Sequence, residues 1–279
     1  MIAHEIENKI KCLAENLIEI VQDGFTLLKN VIPKTIITDI KTCISDSLVK
    51  LGAPRDLPFA DQYRELAKIK HAYETNTLVL RDMVAARFPQ QMLLQPRVLE
   101  LYRHILGSDL VYETTSELPV NVKDEKNDSL VKKWHQEFWS GTGYRTFSFW
   151  VPIIMAQGAG TMDMIRGSHI WGHVPHQNRE PKWIPKDADI VNINCEEGDA
   201  LVFSVLTLHR TVKNTVGCPR VAYTTTLRNP FEMFTGFDMM HGWEVLHLSA
   251  ASKILKKCGN PHLSPFRTLG SQRTEISKY

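Results

Sequence analysis

Hydrophobic residues in the first 107 positions recur every three or four residues, with polar residues between them. This spacing places apolar side chains on one face of a helix, so it predicts amphipathic helices. The predicted helices cover residues 6–21, 35–51, 62–75, 77–87 and 97–106. Residues 25–32 form a mostly apolar run that predicts a strand ended by Pro33, and residues 56–61 are predicted to be a loop.

After Gly107 the pattern changes to short apolar runs separated by glycine- and proline-containing turns. Such runs predict β-strands, and their spacing is typical of an antiparallel barrel or sandwich. The predicted strands cover residues 110–120, 133–138, 146–154, 160–165, 188–194, 200–208 and 220–228. The polar residues 121–129 are predicted to be a surface loop or lid, and a helix is predicted over residues 243–257.

No internal repeat, low-complexity segment or linker-like change of composition divides the chain. We therefore predict one domain over residues 1–279, since all-β barrels of this length often form a single domain. In this domain a helical N-terminal part at about 1–107 packs on a β core at about 108–235. A C-terminal extension covers residues 236–279. The predicted fold class is mainly β with flanking helices.

The composition, 43% hydrophobic and 23% charged residues, is ordinary for a globular protein. A formal net charge of +2 is too balanced for nucleic acid or an anionic membrane to be the main partner. The five cysteines are dispersed and form no C-x-x-C pair, which favours reduced thiols in the cytoplasm. No stretch resembles a signal peptide or a membrane span. These features predict a cytoplasmic protein with a small-molecule partner.

His135 and Glu137 are separated by a single residue. On a β-strand, side chains two positions apart point to the same face, so an imidazole nitrogen and a carboxylate oxygen can reach one point. These two groups are two-thirds of the 2-His-1-carboxylate triad that binds non-haem Fe(II). His209, which follows a predicted buried strand, is the best candidate for the second histidine. Because H-x-E alone is a common pattern, this hypothesis depends on the residues that follow.

Thr211 lies on the same predicted strand face as His209, and Arg220 opens the next strand after a glycine- and proline-containing turn. A hairpin would bring Arg220 beside the His209 strand, with both side chains inside the barrel. A buried arginine needs an anionic partner, and a carboxylate matches the guanidinium best. A dicarboxylate such as 2-oxoglutarate could bind the metal at one end and Arg220 at the other. The alternative is a surface arginine beside a hairpin turn.

Several ordered motifs between residues 20 and 230 together resemble the phytanoyl-CoA dioxygenase family of Fe(II)- and 2-oxoglutarate-dependent oxygenases. The motifs are an entry segment at residues 23–33, Trp134-His135-Gln136-Glu137, Trp150-Val151-Pro152, residues 160–169 ending in Gly167-Ser168-His169, Gly198-Asp199-Ala200-Leu201-Val202-Phe203, His209 and Arg220. Their common order and compatible spacing make the resemblance far more specific than any one of them.

The resemblance implies a double-stranded β-helix, that is, a cupin-like jelly roll. It also implies Fe(II) as the metal, with 2-oxoglutarate and O2 as cosubstrates. The catalytic residues and metal ligands that it implies are His135, Glu137 and His209. The residues that it implies for the 2-oxoglutarate site are Arg220, Thr211 and Trp150.

Two positions depart from the family pattern. Glu137 stands where the family usually has aspartate, and glutamate is one methylene longer but an equally hard oxygen ligand. Iron binding is therefore expected to persist. Arg166 stands where proline usually precedes the Gly-Ser-His turn. Since that turn normally lies beside the pocket, Arg166 is either a contact for an anionic substrate or a solvated loop residue.

His169, His173 and His176 form an H-x3-H-x2-H pattern, which is compatible with a zinc site or with a histidine-rich rim of the pocket. The rim is favoured because no cysteine or carboxylate nearby completes a tetrahedral ligand set. Trp139 follows the H-x-E motif, and its large aromatic ring could line a pocket. The candidate substrate contacts are Arg166, Trp139 and His169.

The leading hypothesis is a dioxygenase that hydroxylates an unactivated C–H bond of a small polar or anionic metabolite. Because Glu137 supplies a carboxylate ligand, no coordination position is vacated for halide, and halogenation is disfavoured. The alternative is a non-catalytic cupin-like protein that binds a metal or a small molecule. Metal-dependent binding of 2-oxoglutarate distinguishes the two classes.

Overall fold

The computed structural model describes residues 2–114, 116–121, 123, 131–232 and 242–258. Most of its helices lie in the N-terminal part of the chain. They are α1 (Ile2–Asp23), α2 (Lys34–Lys50), α3 (Phe59–Ala67), α4 (Ala72–Ala85), α5 (Phe88–Leu93), α6 (Pro96–Leu106) and α7 (Ala250–Lys257). None of these helices combines the length and the apolar composition needed to cross a bilayer.

The strands alternate with turns through most of the rest of the chain. They are β1 (Phe25–Leu28), β2 (Leu110–Glu113), β3 (Val120–Asn121), β4 (Thr146–Ile154), β5 (Met162–Ile165), β6 (His176–Gln177), β7 (Glu180–Pro181), β8 (Ile190–Asn192), β9 (Ala200–Ser204), β10 (His209–Thr211), β11 (Arg220–Arg228) and β12 (Trp243–His247). The two longest strands, β4 and β11, have the predicted bounds.

The strands form a large and a small antiparallel sheet. The large sheet has the order β1-β9-β4-β11-β2-β12, with β3 also paired to β11, and the small sheet has the order β10-β5-β8. One face of the large sheet packs on the helices, where Ile40 of α2 and Phe149 of β4 share a core. The other face packs on the small sheet through Trp150, Phe203 and Met164. We call this second face the inner face, because it lines the space between the sheets.

The helix predictions need correction around residues 56–93. The single helix predicted over residues 62–75 is broken between α3 and α4. α3 begins inside the predicted loop, because the φ of Pro58 (−56°) suits the residue before a helix. No helix is predicted over residues 88–93, but α5 begins at Phe88 with Pro89 in its first turn. Proline is tolerated in the first turn of a helix, where its missing N–H would have no partner.

Several strand predictions are also wrong in their extent. The strand predicted over residues 25–32 ends at Leu28, because Asn30 adopts a left-handed backbone (φ 49°) that turns the chain. The strands predicted over residues 160–165 and 188–194 are shortened to β5 and β8. The unpredicted β6 and β7 form a separate two-stranded hairpin.

Longer predicted segments are divided or change type. The strand predicted over residues 110–120 is divided into β2 and β3, and that over residues 200–208 ends at Ser204. The helix predicted over residues 243–257 is strand β12 followed by α7, because pairing with β2 satisfies the backbone of β12 in the sheet. The predicted lid at residues 121–129 lies almost entirely outside the described residues, and Asn121 belongs to β3.

Candidate metal centre

Antiparallel pairing places His135 opposite His209. The main-chain nitrogen of His135 donates to His209 O at 2.9 Å, and that of His209 donates to His135 O at 3.1 Å. The centroids of the two imidazole rings lie 4.2 Å apart. Because residues paired across strands point to the same face, the register of this pairing brings the two rings together.

Glu137 reaches the same point by a different route from the predicted one. The strand predicted over residues 133–138 is wrong here, because Glu137 is the first residue of a short 3-10 helix, Glu137–Ser140. The tight turn after the extended backbone of Gln136 directs the carboxylate back towards the imidazoles. Glu137 Oε1 lies 3.3 Å from His135 Nε2 and 3.4 Å from His209 Nε2.

His135, Glu137 and His209 form a compact set of potential metal ligands. In the part of the chain that the structure describes, no other group of three His, Cys, Asp or Glu side chains brings its ligand atoms within 4.8 Å of one another. Two imidazoles and one carboxylate are the donor set typical of non-haem Fe(II), and three ligands leave further coordination positions open. The chemistry of this donor set therefore fits iron.

Main-chain carbonyl groups fix the tautomer of both histidines. His135 Nδ1 lies 2.7 Å from Lys133 O, and His209 Nδ1 lies 2.9 Å from Thr207 O. A carbonyl oxygen only accepts hydrogen bonds, so each Nδ1 carries the proton and donates it. Each Nε2 therefore presents its lone pair to the centre, as a metal ligand requires.

The charge states of the centre also suit a cation. Burial, together with the neighbouring His135, lowers the pKa of His209, which keeps this imidazole neutral. Burial by itself raises the pKa of Glu137, whereas the positive charge of Lys132 lowers it. The pKa of Glu137 is held well below its usual range, so the carboxylate is ionised.

Arg220 is a buried cation on the inner face of the large sheet, with 2% of its surface exposed. Its Nη1 donates to Gly160 O at 3.2 Å and Thr161 O at 3.4 Å, and its Cζ lies 5.6 Å from the ring centre of Trp150. Its Nε is buried without a hydrogen-bond partner among the described residues. Burial lowers the pKa of Arg220 to about 10, which still leaves it charged at neutral pH. The described residues therefore provide no anionic partner for Arg220, although a buried charge needs one.

One buried polar residue that organises the centre was not singled out from the sequence. Gln136, which lies between two candidate ligands and is 1% exposed, donates from Nε2 to Gly172 O at 2.9 Å and Leu206 O at 2.6 Å. Its Oε1 accepts from Val174 N at 3.0 Å. Gln136 thereby ties the H-x-E segment to the turn before His209. Its position in the sequence could have identified it. Side chains alternate along an extended segment, so a residue between two candidate ligands points away from the metal and into the surrounding protein.

Two of the predicted substrate contacts, Arg166 and His169, have partners in the first helix. Arg166 forms ion pairs with Asp23 and with Asp189, the latter with 3.0 Å between Nε and Oδ2. His169 Nε2 lies 3.2 Å from Val21 O, and burial lowers the pKa of His169. Asp23 and Val21 belong to the end of α1, so Arg166 and His169 both attach to this helix.

Trp139 and two histidines form an aromatic cluster next to the 3-10 helix. The ring of Trp139 stacks on that of His176 with 4.4 Å between centroids, and its Nε1 donates to Val174 O at 3.1 Å. The rings of His173 and His176 are 6.0 Å apart, and His173 contacts Phe138 with 5.3 Å between centroids. Among the described residues these histidines form no ligand cluster. The zinc alternative for the H-x3-H-x2-H pattern therefore has no support in this geometry.

Two open clefts are lined by residues of the predicted 2-oxoglutarate region and its surroundings. One of about 720 Å³ is lined by Thr211 with Lys132 and Arg210, among others, and one of about 800 Å³ is lined by Gly160 and Thr161. Neither cleft is lined by a residue of the ligand set. The three candidate ligands therefore lie outside both clefts.

The sequence matches the profile of the phytanoyl-CoA dioxygenase (PhyH) family over residues 20–222. This match covers more than half of the chain and includes all three candidate ligands and Arg220. No curated protein matches the sequence.

Solved structures share the fold at low sequence identity. The apo form of the non-heme monooxygenase ThoJ has a TM-score of 0.61 and 20% identity, covering 85% of this chain and 84% of ThoJ. The epimerase SnoN, in complex with Fe3+, α-ketoglutarate and nogalamycin RO, has a TM-score of 0.60 and 14% identity, covering 81% of this chain and 87% of SnoN. EctD from S. alaskensis, with 2-oxoglutarate and 5-hydroxyectoine, has a TM-score of 0.54 and 15% identity, covering 80% of this chain and 78% of EctD. These similarities confirm the predicted jelly roll with flanking helices.

The family match, the two histidines and one glutamate of the candidate ligand set, and the order of the sequence motifs all indicate the same class of enzyme. They set aside the alternative of a non-catalytic cupin-like protein. The chain belongs to the phytanoyl-CoA dioxygenase family and is an oxygenase that uses iron, 2-oxoglutarate and O2.

Proposed function

We propose that this oxygenase hydroxylates an unactivated C–H bond of a small polar or anionic metabolite. We assign the iron to His135, Glu137 and His209, and the distal carboxylate of 2-oxoglutarate to Arg220. The observation that carries the proposal is Arg220, a buried cation for which the described part of the chain provides no carboxylate partner. It lies on the inner face of the β core that also holds the three proposed ligands. A dicarboxylate that reaches from the metal to Arg220 would supply the missing negative charge.

Bound iron and 2-oxoglutarate would supply the chemistry for C–H cleavage with O2 as the oxidant: one oxygen atom enters the succinate that is formed with carbon dioxide from 2-oxoglutarate, and the other enters the substrate as its hydroxyl group. The residues of the chain set the geometry for this chemistry. His135 and His209 offer neutral nitrogen atoms, while Glu137 supplies one negative charge that partly balances the metal. The ring of Phe203, 4.8 Å from that of His209 between centroids, helps to exclude water from this side of the centre.

Trp150 and Thr211 have supporting roles in the proposed 2-oxoglutarate site. The ring of Trp150 lies beneath the guanidinium of Arg220 and limits its movement through a cation–π contact. Thr211 is two residues after His209 on β10, so its side chain lies on the same side of the strand. We propose that its hydroxyl is a second polar contact for the cosubstrate.

A small metabolite as the substrate is supported by the molecules that two similar structures hold, nogalamycin RO in SnoN and 5-hydroxyectoine in EctD. Trp139 belongs to the 3-10 helix that begins at Glu137, so we propose it as part of the substrate wall. The contacts of Arg166 and His169 with α1 argue for a structural role of these two residues. The free cysteines support a cytoplasmic location.

The proposal can be tested in two steps on the full-length protein. First, the Fe(II)-loaded protein is titrated anaerobically with 2-oxoglutarate, and a metal-to-ligand charge-transfer band is expected to appear and saturate. Second, succinate formation in air is measured with a panel of amino acids, sugars, phosphonates and acyl thioesters. At least one polar or anionic member is expected to stimulate succinate formation and to gain one oxygen atom. A protein without the absorption band, or one whose product lacks a new hydroxyl group, contradicts the proposal.

A further inference from the structure

A row of side chains crosses the inner face of the large sheet next to the metal centre. Ser148 pairs with Phe203 on one side and with Thr226 on the other. Thr226 Oγ1 in turn donates to Glu113 Oε2 at 2.8 Å. Since paired residues share a face, these side chains line the space between the sheets. The row begins at Phe203, whose ring contacts His209, so it starts at a metal ligand. We call Ser148, Thr226 and Glu113 the polar row.

Two hydroxyl groups at this position have no hydrogen-bond partner. Ser148 and Thr146 are each only 1% exposed, and Ser148 Oγ and Thr146 Oγ1 are unpaired among the described residues. Thr146 pairs across the sheet with Arg228, one step beyond the polar row on the same face. Burying a hydroxyl without a partner is unfavourable, and buried polar atoms in proteins are nearly always paired. Two such hydroxyl groups side by side, next to a carboxylate, point to a ligand that completes them.

The position of the row relative to Arg220 separates two binding regions. Arg220 and Thr226 lie on the same face of β11, six residues apart, which is about 20 Å of extended chain. Trp150 pairs with Thr224 and so lies between these two positions along the strand, and the guanidinium of Arg220 lies over its ring. The polar row is at the level of His209, beyond Trp150. The cosubstrate proposed at Arg220 and a molecule at the polar row would therefore approach the metal centre from opposite ends of one strand.

The chemistry of the polar row selects among possible ligands. Its hydroxyl groups can donate and accept hydrogen bonds, whereas the carboxylate of Glu113 only accepts. The hydroxyl group of a ligand can accept from Ser148 and can also donate to Glu113, beside the hydrogen bond that Glu113 accepts from Thr226. Glu113 and the buried Arg228 lie on this face with opposite charges, so the row presents no single charge that would select an anionic or cationic ligand. An alkyl chain placed there would leave the buried oxygens unpaired.

We propose that the polar row binds hydroxyl groups of the substrate, and that the substrate is an uncharged, hydroxyl-bearing metabolite such as a sugar or polyol. This inference rests on the proposed function and narrows its substrate class. It makes Glu113, Thr226 and Ser148 determinants of specificity, whereas Arg220 remains a determinant of cosubstrate binding.

The experiment uses the full-length protein with Fe(II) and 2-oxoglutarate. The probes are monosaccharides, polyols, their deoxy analogues and a fatty acyl-CoA thioester. Anaerobic calorimetry measures the binding of each probe, and succinate formation in air measures its turnover. A sugar or polyol is expected to bind and to be turned over. Glu113→Gln is expected to raise its Kd and KM by about 10-fold to 100-fold, the loss expected for a hydrogen bond to a charged group. Ser148→Ala should raise them by about 3-fold to 10-fold.

The control is Thr225→Val. Thr225 is next to Thr226 on β11, but its side chain lies on the opposite face of the strand, where its hydroxyl donates to Glu113 O at 2.7 Å. This variant removes the same chemical group and is expected to leave the Kd of the sugar or polyol within about 2-fold of the wild-type value, within the effect of a weak hydrogen bond. If the polar row has only a structural role, Ser148→Ala and Thr225→Val should change the Kd of the sugar or polyol to the same extent.

The outcomes separate this inference from the proposed function. Absence of 2-oxoglutarate binding in the wild-type protein contradicts both. Normal 2-oxoglutarate binding with no binding of any sugar or polyol overturns the inference alone. An unchanged Kd in Glu113→Gln, or turnover of the acyl thioester in preference to every hydroxyl-bearing probe, overturns it as well. A raised Kd for the sugar or polyol with an unchanged 2-oxoglutarate titration supports it.

Discussion

Substitution of Arg220 tests the central feature of the proposed site. Arg220 donates to two main-chain acceptors at 3.2 and 3.4 Å, and the described residues provide no carboxylate partner for it. The bound cosubstrate would therefore supply the full negative charge that these contacts do not provide. Removing one side of a buried, hydrogen-bonded charge pair costs about 3–5 kcal/mol. At about 1.4 kcal/mol per tenfold change, Arg220→Ala should weaken 2-oxoglutarate binding by roughly two to three orders of magnitude.

The assay is the anaerobic titration of the Fe(II) protein with 2-oxoglutarate, followed by the charge-transfer absorbance. Arg220→Lys should recover only part of the lost affinity, because an ammonium group cannot form the bidentate contact of a guanidinium. Iron affinity should be little changed, since Arg220 is not in the ligand set. The control is Arg145→Ala, which removes an arginine with 79% side-chain exposure whose surface ion pair with Glu232 contributes little.

The same arginine gives a stability test that does not depend on turnover. In the absence of 2-oxoglutarate, Arg220→Met should be as stable as the wild type or more stable, because it removes an unpaired buried charge. Addition of 2-oxoglutarate at 100 times its Kd should stabilise the wild-type Fe(II) protein by about 2.7 kcal/mol and should not stabilise the variant. An unchanged titration in Arg220→Ala, or equal stabilisation of Arg220→Met by 2-oxoglutarate, would remove Arg220 from the site and refute the reasoning.

Three further predictions concern the ligands and their support. His135→Ala and His209→Ala should each lose tight Fe(II) binding in anaerobic equilibrium dialysis, and full affinity in both would show that the ligands are elsewhere. Glu137→Ala should abolish hydroxylation while Glu137→Asp retains part of it, because the ligand type is preserved; wild-type rates in Glu137→Ala would disprove its role. Gln136→Leu should lower the free energy of unfolding by about 2–5 kcal/mol in urea titrations, because three buried main-chain groups lose their partner. The exposed Gln157→Leu is its control, and equal stability of the two variants would contradict the account of Gln136 as a clamp.

The sequence by itself determined the class of protein and the order in which the candidate site residues follow one another along the chain. The bounds of β4 and β11 were predicted correctly, because both are long runs of apolar and β-branched residues bounded by turns. The H-x-E motif, His209 and Arg220 were predicted from chemistry that few other residues can provide. The amphipathic helices before Gly107 were also predicted from local periodicity, although their ends were not.

The tertiary structure decided how these residues meet. The spacing of His135 and Glu137 suggested a strand, but a 3-10 turn at Glu137 brings the candidate ligands together. The contacts of Arg166 with Asp23 and the hydrogen bonds of Gln136 join segments far apart in the chain. Periodicity reports only which side of its own helix or strand a residue occupies. Its neighbour across a sheet depends on the register between distant strands, which forms only when the whole core packs.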